Sequence, residues 1–203
     1  MTNRGRPPLL SDEAILKKAL QAFASGGFEA MSVRALNANL GLSHETVSQR
    51  FGTKSELFLA AVNYGFQLFI NDFNDELTRN NPTSDLEQLR ALLRAFMFST
   101  SRHPTLGELL HHVAIDEEQR NVIIGKTGLA DQLMNAAELL RRLKSYGVIR
   151  DIQLRELWFM AQSAAAPIHF SNVSQMFDLF DGPLDPDEHI NRITDTIMRG
   201  LLA

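Results

Sequence analysis

Residues 31–54 read MSVRALNANLGLSHETVSQRFGTK. The stretch divides into two short runs joined at Leu40-Gly41-Leu42-Ser43. Ser32 is a good N-cap for the first run, whose apolar side is Val33, Leu36 and Leu40. Gly41 permits the positive φ that a tight helix-to-helix turn needs. Ser43 caps the second run, predicted to be helical over about 44–51, and Gly52 breaks the chain after it. Leu36, Leu40, Leu42, Val47 and Phe51 form an apolar underside. The outer side of the second run is His44, Glu45, Thr46, Ser48, Gln49 and Arg50. The arrangement is a helix-turn-helix, with a short polar face where a nucleic-acid reader needs one.

Upstream, Ser11 caps a predicted helix over about 11–25, with Asp12 and Glu13 in its first turn and Gly26-Gly27 ending it. Ile15, Ala19 and Phe23 of this helix cover the underside, completing a three-helix unit. Downstream, Thr53-Lys54-Ser55-Glu56 is a capping box. It opens a long helix carrying Leu57, Phe58, Ala61, Val62, Phe66, Phe69 and Phe73. After Pro82, a second capping box at Ser84–Glu87 starts a helix ending at His103-Pro104. Helices over about 105–117 and within about 119–146 follow. The segment 151–180 is helical in pattern but interrupted by Pro167, and a last helix runs from Asp185 to Leu202. Strand alternation, internal repeats and low-complexity tracts are absent. The fold class is all-α, with about nine helices: an N-terminal three-helix unit and a larger C-terminal helical bundle. The division expected is a flexible basic arm at 1–10, a helix-turn-helix domain at 11–57, and a sensing and dimerising domain at 58–203.

The chain has 203 residues, no cysteine, 44% hydrophobic and 22% charged residues, and a net charge of -4. A disulfide framework, thiolate metal site and cysteine nucleophile are excluded. No apolar run approaches the length of a membrane span and no leader pattern begins the chain, so a soluble cytoplasmic protein without a membrane partner is expected. The acidity gives no hint of a nucleic-acid partner until the charge is divided. Residues 1–57 hold seven Lys/Arg against five Asp/Glu, or +2, which leaves -6 on the remainder. The sequence carries a mildly basic head on an acidic body.

The run from about Ile15 to Leu59 resembles the TetR-type transcriptional regulators. The resemblance is carried by Ala19 to Phe23, Gly27-Phe28, Ser32-Val33-Arg34, Leu40-Gly41-Leu42-Ser43, Thr46-Val47, Phe51 and Lys54-Ser55-Glu56-Leu57. It implies a non-enzymatic DNA-binding regulator, most simply a repressor that binds a palindromic operator as a homodimer and is released by a small, largely apolar ligand. The DNA-binding residues on this reading are Ser32, Arg34, Ser43, His44, Glu45, Thr46, Ser48, Gln49, Arg50 and Lys54. His44 to Thr46 would reach deepest into the major groove. Arg4 and Arg6 on the arm have a minor-groove role open to them; the plainer reading is a tail without one. Two positions depart from the family pattern directly on this face: Ser48 replaces a usual Tyr, and Arg50 replaces a frequent His. Asn37 stands where a small apolar residue is usual, and is tolerated if its amide finds a partner.

The resemblance also implies that the body binds an effector. Candidate lining residues are Phe66, Phe69, Phe96, Met97, His112, Met134, Trp158 and Gln162, although aromatic and Met residues at helical spacing more often form core. Ala161, Ala164, Ala165 and Ala166 with Ile190, Ile193 and Ile197 suit a four-helix dimer interface made by the last two long helices, with Ala161, Ala165 and the three isoleucines at its centre. His111-His112 with Asp116 invites a metal reading, but no third ligand is near, so neither metal nor cofactor is expected. The rival from another class is a helical-bundle enzyme or binding protein for an apolar small molecule, using His103, His111 and His112. No GxSxG, P-loop, HExxH or GxGxxG supports the enzyme.

Overall fold

The computed structural model describes residues 10–112 and 117–203, and among these all extended elements are helices. Arg4, Arg6 and Asp116 lie outside the described residues, as does the side chain of His112. The chain forms two compact units. One comprises the chain to Phe66 with Thr105–Ile123; the other comprises Gln67–Pro104 and Ile124–Ala203. The division between the units falls inside the long helix, after Phe66.

The first unit opens with α1 (Asp12–Ala30), capped by the Ser11 hydroxyl accepting from the Ala14 N–H. Gly27 leaves helical geometry at φ 73° and breaks α1 near its end. Next come α2 (Val33–Asn39), capped by Ser32, and α3 (Thr46–Phe51). The long helix α4 (Lys54–Asn80) begins with the expected capping box. The Glu56 carboxylate accepts from the Thr53 N–H at 2.7 Å, and the Thr53 hydroxyl accepts from the Glu56 N–H at 3.2 Å. Phe23, Phe28 and Phe58 pack as one aromatic cluster, with edge-to-face contacts at 5.1 and 5.3 Å. Gly65 on α4 lets Leu20 approach so closely that a Cβ would lie 2.8 Å from Leu Cδ2. Leu106, on α6 (Pro104–His112), closes the other side of that contact.

In the second unit α5 (Asp85–Arg102) is central, packing against α8 (Leu129–Ser145), α9 (Leu154–Ala164) and the last helix, α13 (Pro186–Leu201). Its Leu89, Leu93 and Met97 join Leu139, Leu143, Leu157, Ile190 and Met198 in one core. The Ser84 hydroxyl caps α5, while the Glu87 carboxylate turns to Thr83 N–H and hydroxyl, one residue ahead of the expected capping-box partner. Glu76, 3% exposed, is ion-paired with Arg94, whose Nε also donates to Asn191 on α13 at 2.8 Å.

One expected long helix is divided, and the segment interrupted by Pro167 breaks up as expected. The segment 119–146 becomes α7 (Glu117–Lys126) and α8, separated where Gly128 adopts φ 75°. Beyond α9, residues 166–181 form short pieces: α10 (Ala166–His169), α11 (Ser171–Ser174), a 3-10 turn at Gln175–Phe177, and α12 (Asp178–Asp181). Pro167 sits in the first turn of α10, where its missing N–H costs nothing.

Asp85 of the α5 cap holds Arg142 on α8 through two bonds of 2.8 and 3.0 Å. The hydrogen bond from this guanidinium keeps the Asp85 carboxyl below its ordinary range. A depressed carboxyl contributes stability that is complete above its unfolded-state value and lost as pH falls through its folded one. Asp85→Asn is expected to lower stability at neutral pH and to lessen the further loss in acid. Urea denaturation at neutral pH and below the carboxylate range measures both; parallel curves for the two proteins would contradict the pairing.

Candidate functional site

The helix-turn-helix turns on a buried amide. Asn37 is 0% exposed, and its side chain makes three bonds. Nδ2 donates to the carbonyls of Val33, at 3.2 Å, and His44, at 2.9 Å. Oδ1 accepts the Val47 N–H at 3.1 Å. The Gly41 turn at φ 65° is closed by Leu42 N–H donating to the Asn37 backbone carbonyl at 2.9 Å. Val47 and Leu36 are buried beneath.

The structure corrects the start of α3. Helix was predicted from 44 under a Ser43 cap, but α3 begins at Thr46, and His44 and Glu45 form a turn. The Ser43 hydroxyl meets the Thr46 hydroxyl at 2.6 Å, and Ser43 offers its carbonyl to Thr46 N–H. The Val47 N–H, which a cap side chain at Glu45 would otherwise meet, is met instead by Asn37, ten positions earlier.

Ser43, His44, Glu45, Ser48 and Gln49 are all exposed, and Thr46 is half-buried. Gln49 donates to the Glu45 carboxylate at 3.3 Å. Arg34 and Ser32 are exposed at the start of α2. Arg50 points elsewhere: its guanidinium is ion-paired with Asp12 and donates to the Leu10 carbonyl. Lys54 is half-buried, donating to the Glu29 carbonyl at 3.0 Å with its ammonium 4.9 Å from the Phe28 ring centre. Both cations tie α1 to its neighbours.

In the second unit a cavity of about 70 Å³ lies among α4, α5, α8 and α9. Phe69, Phe73, Leu93, Phe96, Leu157 and Trp158 are among its walls, with the Phe96 and Trp158 rings 4.4 Å apart. Among the described residues the lining carries no charged side chain; its polar groups are the Trp158 indole N–H and the Gln132 amide, which donates to Asn74 at 3.3 Å. Phe69, Phe96 and Trp158 stand where a lining role was expected. Phe66 is buried in the other unit, Met97 is core, Met134 is 62% exposed, and Gln162 is outside the lining. Sequence reasoning missed the contribution of α8, although Leu129, Leu133, Ala136 and Leu140 recur at helical spacing and all face the cavity.

The small-residue and isoleucine stripes do not face outward. Ala161, Ala165, Ile190 and Ile197 are buried within one chain, and Ile193 packs half-buried against the same core. Periodicity marked a buried stripe correctly, but α5 of the same chain covers it. Between residues 159 and 180 the exposed apolar groups are instead Phe159, Met160, Phe170, Val173, Met176, Phe177, Leu179 and Phe180, the last 79% exposed. His103 is hydrogen-bonded to Asp72 at 2.9 Å, which also lies 3.7 Å from Arg102. Among the described residues no group of three metal-ligating side chains converges, and no helix is long and apolar enough to cross a membrane.

The family model of bacterial regulatory proteins of the tetR family matches residues 15–61. An uncharacterized HTH-type transcriptional regulator of Mycobacterium tuberculosis is 26% identical over 150 residues, covering 68% of this chain and 74% of that protein. The HTH-type regulator YezE of Bacillus subtilis is 33% identical over 58 residues, 29% of this chain and 30% of its own. The fold extends further. The crystal structure of the TetR family regulator PfmR from Thermus thermophilus aligns over 96% of this chain and 99% of its own, with a TM-score of 0.62 at 23% identity.

Trp158 is the only tryptophan of the chain and lies in the cavity wall. Titration with a small apolar probe such as an alkylbenzene is expected to shift its emission saturably. A linear or absent response would show that the cavity does not admit such molecules.

Proposed function

We propose that this chain, which belongs to the TetR family of bacterial regulatory proteins through residues 15–61, represses transcription by binding a palindromic operator as a two-fold dimer. The observation that carries the reading is the exposed row Ser43, His44, Glu45, Ser48 and Gln49, held over a buried underside by Asn37. Short hydrogen-bonding side chains on a rigid helix start match what base edges offer in a major groove. Arg34, exposed at the start of α2, provides a phosphate contact, and Lys54 provides another when its ammonium exchanges the Glu29 carbonyl for a phosphate. Ser48 brings a single hydroxyl to this face, which leaves His44 and Gln49 as the longer reading groups. Arg50, paired back onto Asp12, acts by fixing α1 against α3. Arg4 and Arg6 on the preceding arm are suited to an adjacent narrow minor groove.

The effector on this reading is small, apolar and uncharged, because the cavity walls offer no ion a partner. Its free space is far below the ~300–1,000 Å³ of sites for drug-sized ligands, so occupancy requires the walls to separate. That movement, absent without ligand, is the physical step through which a ligand changes the protein's preference for DNA. The dimer forms through the exposed apolar side of residues 159–180, since a patch of this kind on one chain marks an association surface.

Purified protein is expected to bind DNA from around its own gene, with affinity falling steeply as salt rises. His44→Ala should change which sequence is preferred, whereas Lys54→Ala should weaken binding to all sequences alike. Failure to bind any such fragment at low salt would remove the reading. Phe180→Asp is expected to convert a dimer to monomers in sedimentation and to weaken operator binding. An unaltered dimer would place the interface elsewhere.

A further inference from the structure

We infer that Asn37 is a positioning residue that sets where the reading helix begins, and through this which side chains meet the bases. The inference rests on the DNA-binding role proposed above. It arises from a particular substitution of hydrogen bonds.

A helix begun at residue 44 would direct the Val47 N–H to the Ser43 carbonyl and the Ser48 N–H to the His44 carbonyl. In the structure Asn37 takes one end of each of these bonds. The Val47 N–H is held by Asn37 Oδ1 at 3.1 Å, and the His44 carbonyl by Asn37 Nδ2 at 2.9 Å. The Ser43 carbonyl takes the Thr46 N–H instead, closing a single turn. One side-chain amide thus occupies one end of each bond that would extend α3 by two residues. Its orientation is fixed chemically, because two carbonyls and one N–H surround it, and only Nδ2 donates. Its second Nδ2 hydrogen reaches Val33, so the amide is anchored on its own helix.

The consequence falls on His44 and Glu45. Successive helical residues are rotated by about 100°, so residues on a turn project along other directions than in a first helical turn. Glu45 has φ -108° and ψ -7°, and no side chain caps α3 from the usual position. Ser43 has the residue type for that task, yet its hydroxyl is bonded to Thr46. The chain therefore holds two ways to start this helix, one capped by Ser43 at 44 and one clamped by Asn37 at 46, and Asn37 selects the second.

Nuclear magnetic resonance of the full chain without DNA tests the clamp. In the unaltered protein, Cα shifts of His44 and Glu45 should be non-helical, and the Asn37 side-chain protons and Val47 amide should exchange slowly. In Asn37→Ala the Val47 amide is expected to exchange about tenfold faster, or helical shifts to extend back to His44. Ser43→Ala should leave exchange in α3 within about twofold alone but accelerate it about fivefold more in the Asn37→Ala background, where Ser43 is the remaining cap. On DNA, Asn37→Ala should lose about tenfold in preference for the best fragment over a scrambled one, with the salt dependence retained. Rapid exchange of the Asn37 protons in the unaltered protein overturns the inference, as do unchanged shifts and unchanged preference in Asn37→Ala. If the variant does not fold, the measurements on the unaltered protein decide. If the unaltered protein binds no DNA, the functional reading fails while the exchange data still settle the clamp.

Discussion

A carboxamide taken out of water costs free energy unless its donors and acceptor are met, and Asn37 is fully buried. Each of its partners is a backbone group that must also be satisfied, so one side chain resolves several obligations at once. Apolar packing could not do this. The burial of Leu36 and Val47 fixes which side of α3 faces inward but, being non-directional, does not fix at which residue the helix starts. Hydrogen bonds supply the direction, and the orientation of everything between Ser43 and Arg50 depends on them.

The second unit applies the same logic to charge. Its core is apolar and built on α5, yet Glu76 is buried at the edge of that helix against Arg94. Arg94 passes the constraint to Asn191, and one helical turn earlier Arg90 pairs with Asp195. The two contacts fix the register of α13 along α5, something that the smooth stripe Ile190, Ile193 and Ile197 leaves open. Losing one partner of a buried pair such as Glu76 with Arg94 costs about 3–5 kcal/mol in general, whereas an exposed pair such as Arg90 with Asp195 contributes about 0–1 kcal/mol. Such contacts specify an arrangement more than they stabilise it.

Features decided by neighbours in sequence were legible. The Ser11 and Ser32 caps, the Thr53–Glu56 capping box, the Gly41 turn and the all-α class follow from side chains acting within four residues. The start of α3 was not legible, because Asn37 acts across ten residues and competes with a local cap that the sequence also provides. Periodicity identified the buried sides of α9 and α13 but carries no information on what covers them, so an intrachain seam looked like an interface between copies. The cavity was found in part for the same reason. Phe69, Phe96 and Trp158 stand out by ring size, whereas the α8 wall of Leu and Ala looks like any core-facing stripe. The break at Gly128 within a long helical pattern needed the left-handed conformation that the structure shows.

A wall without charge measures its guest by volume. Each methylene transferred from water contributes about 0.8 kcal/mol, roughly a fourfold gain in affinity, whatever the remainder of the molecule is. Along a homologous series, occupancy would climb by a constant factor per carbon and then stop at the member that fills the space among Phe96, Trp158 and Leu93. Changes in salt or pH would scarcely move that ladder, since no wall residue titrates. On the proposed reading, a regulator built on such a cavity would report the presence of a size class of hydrocarbon and leave the identity of any single compound unread.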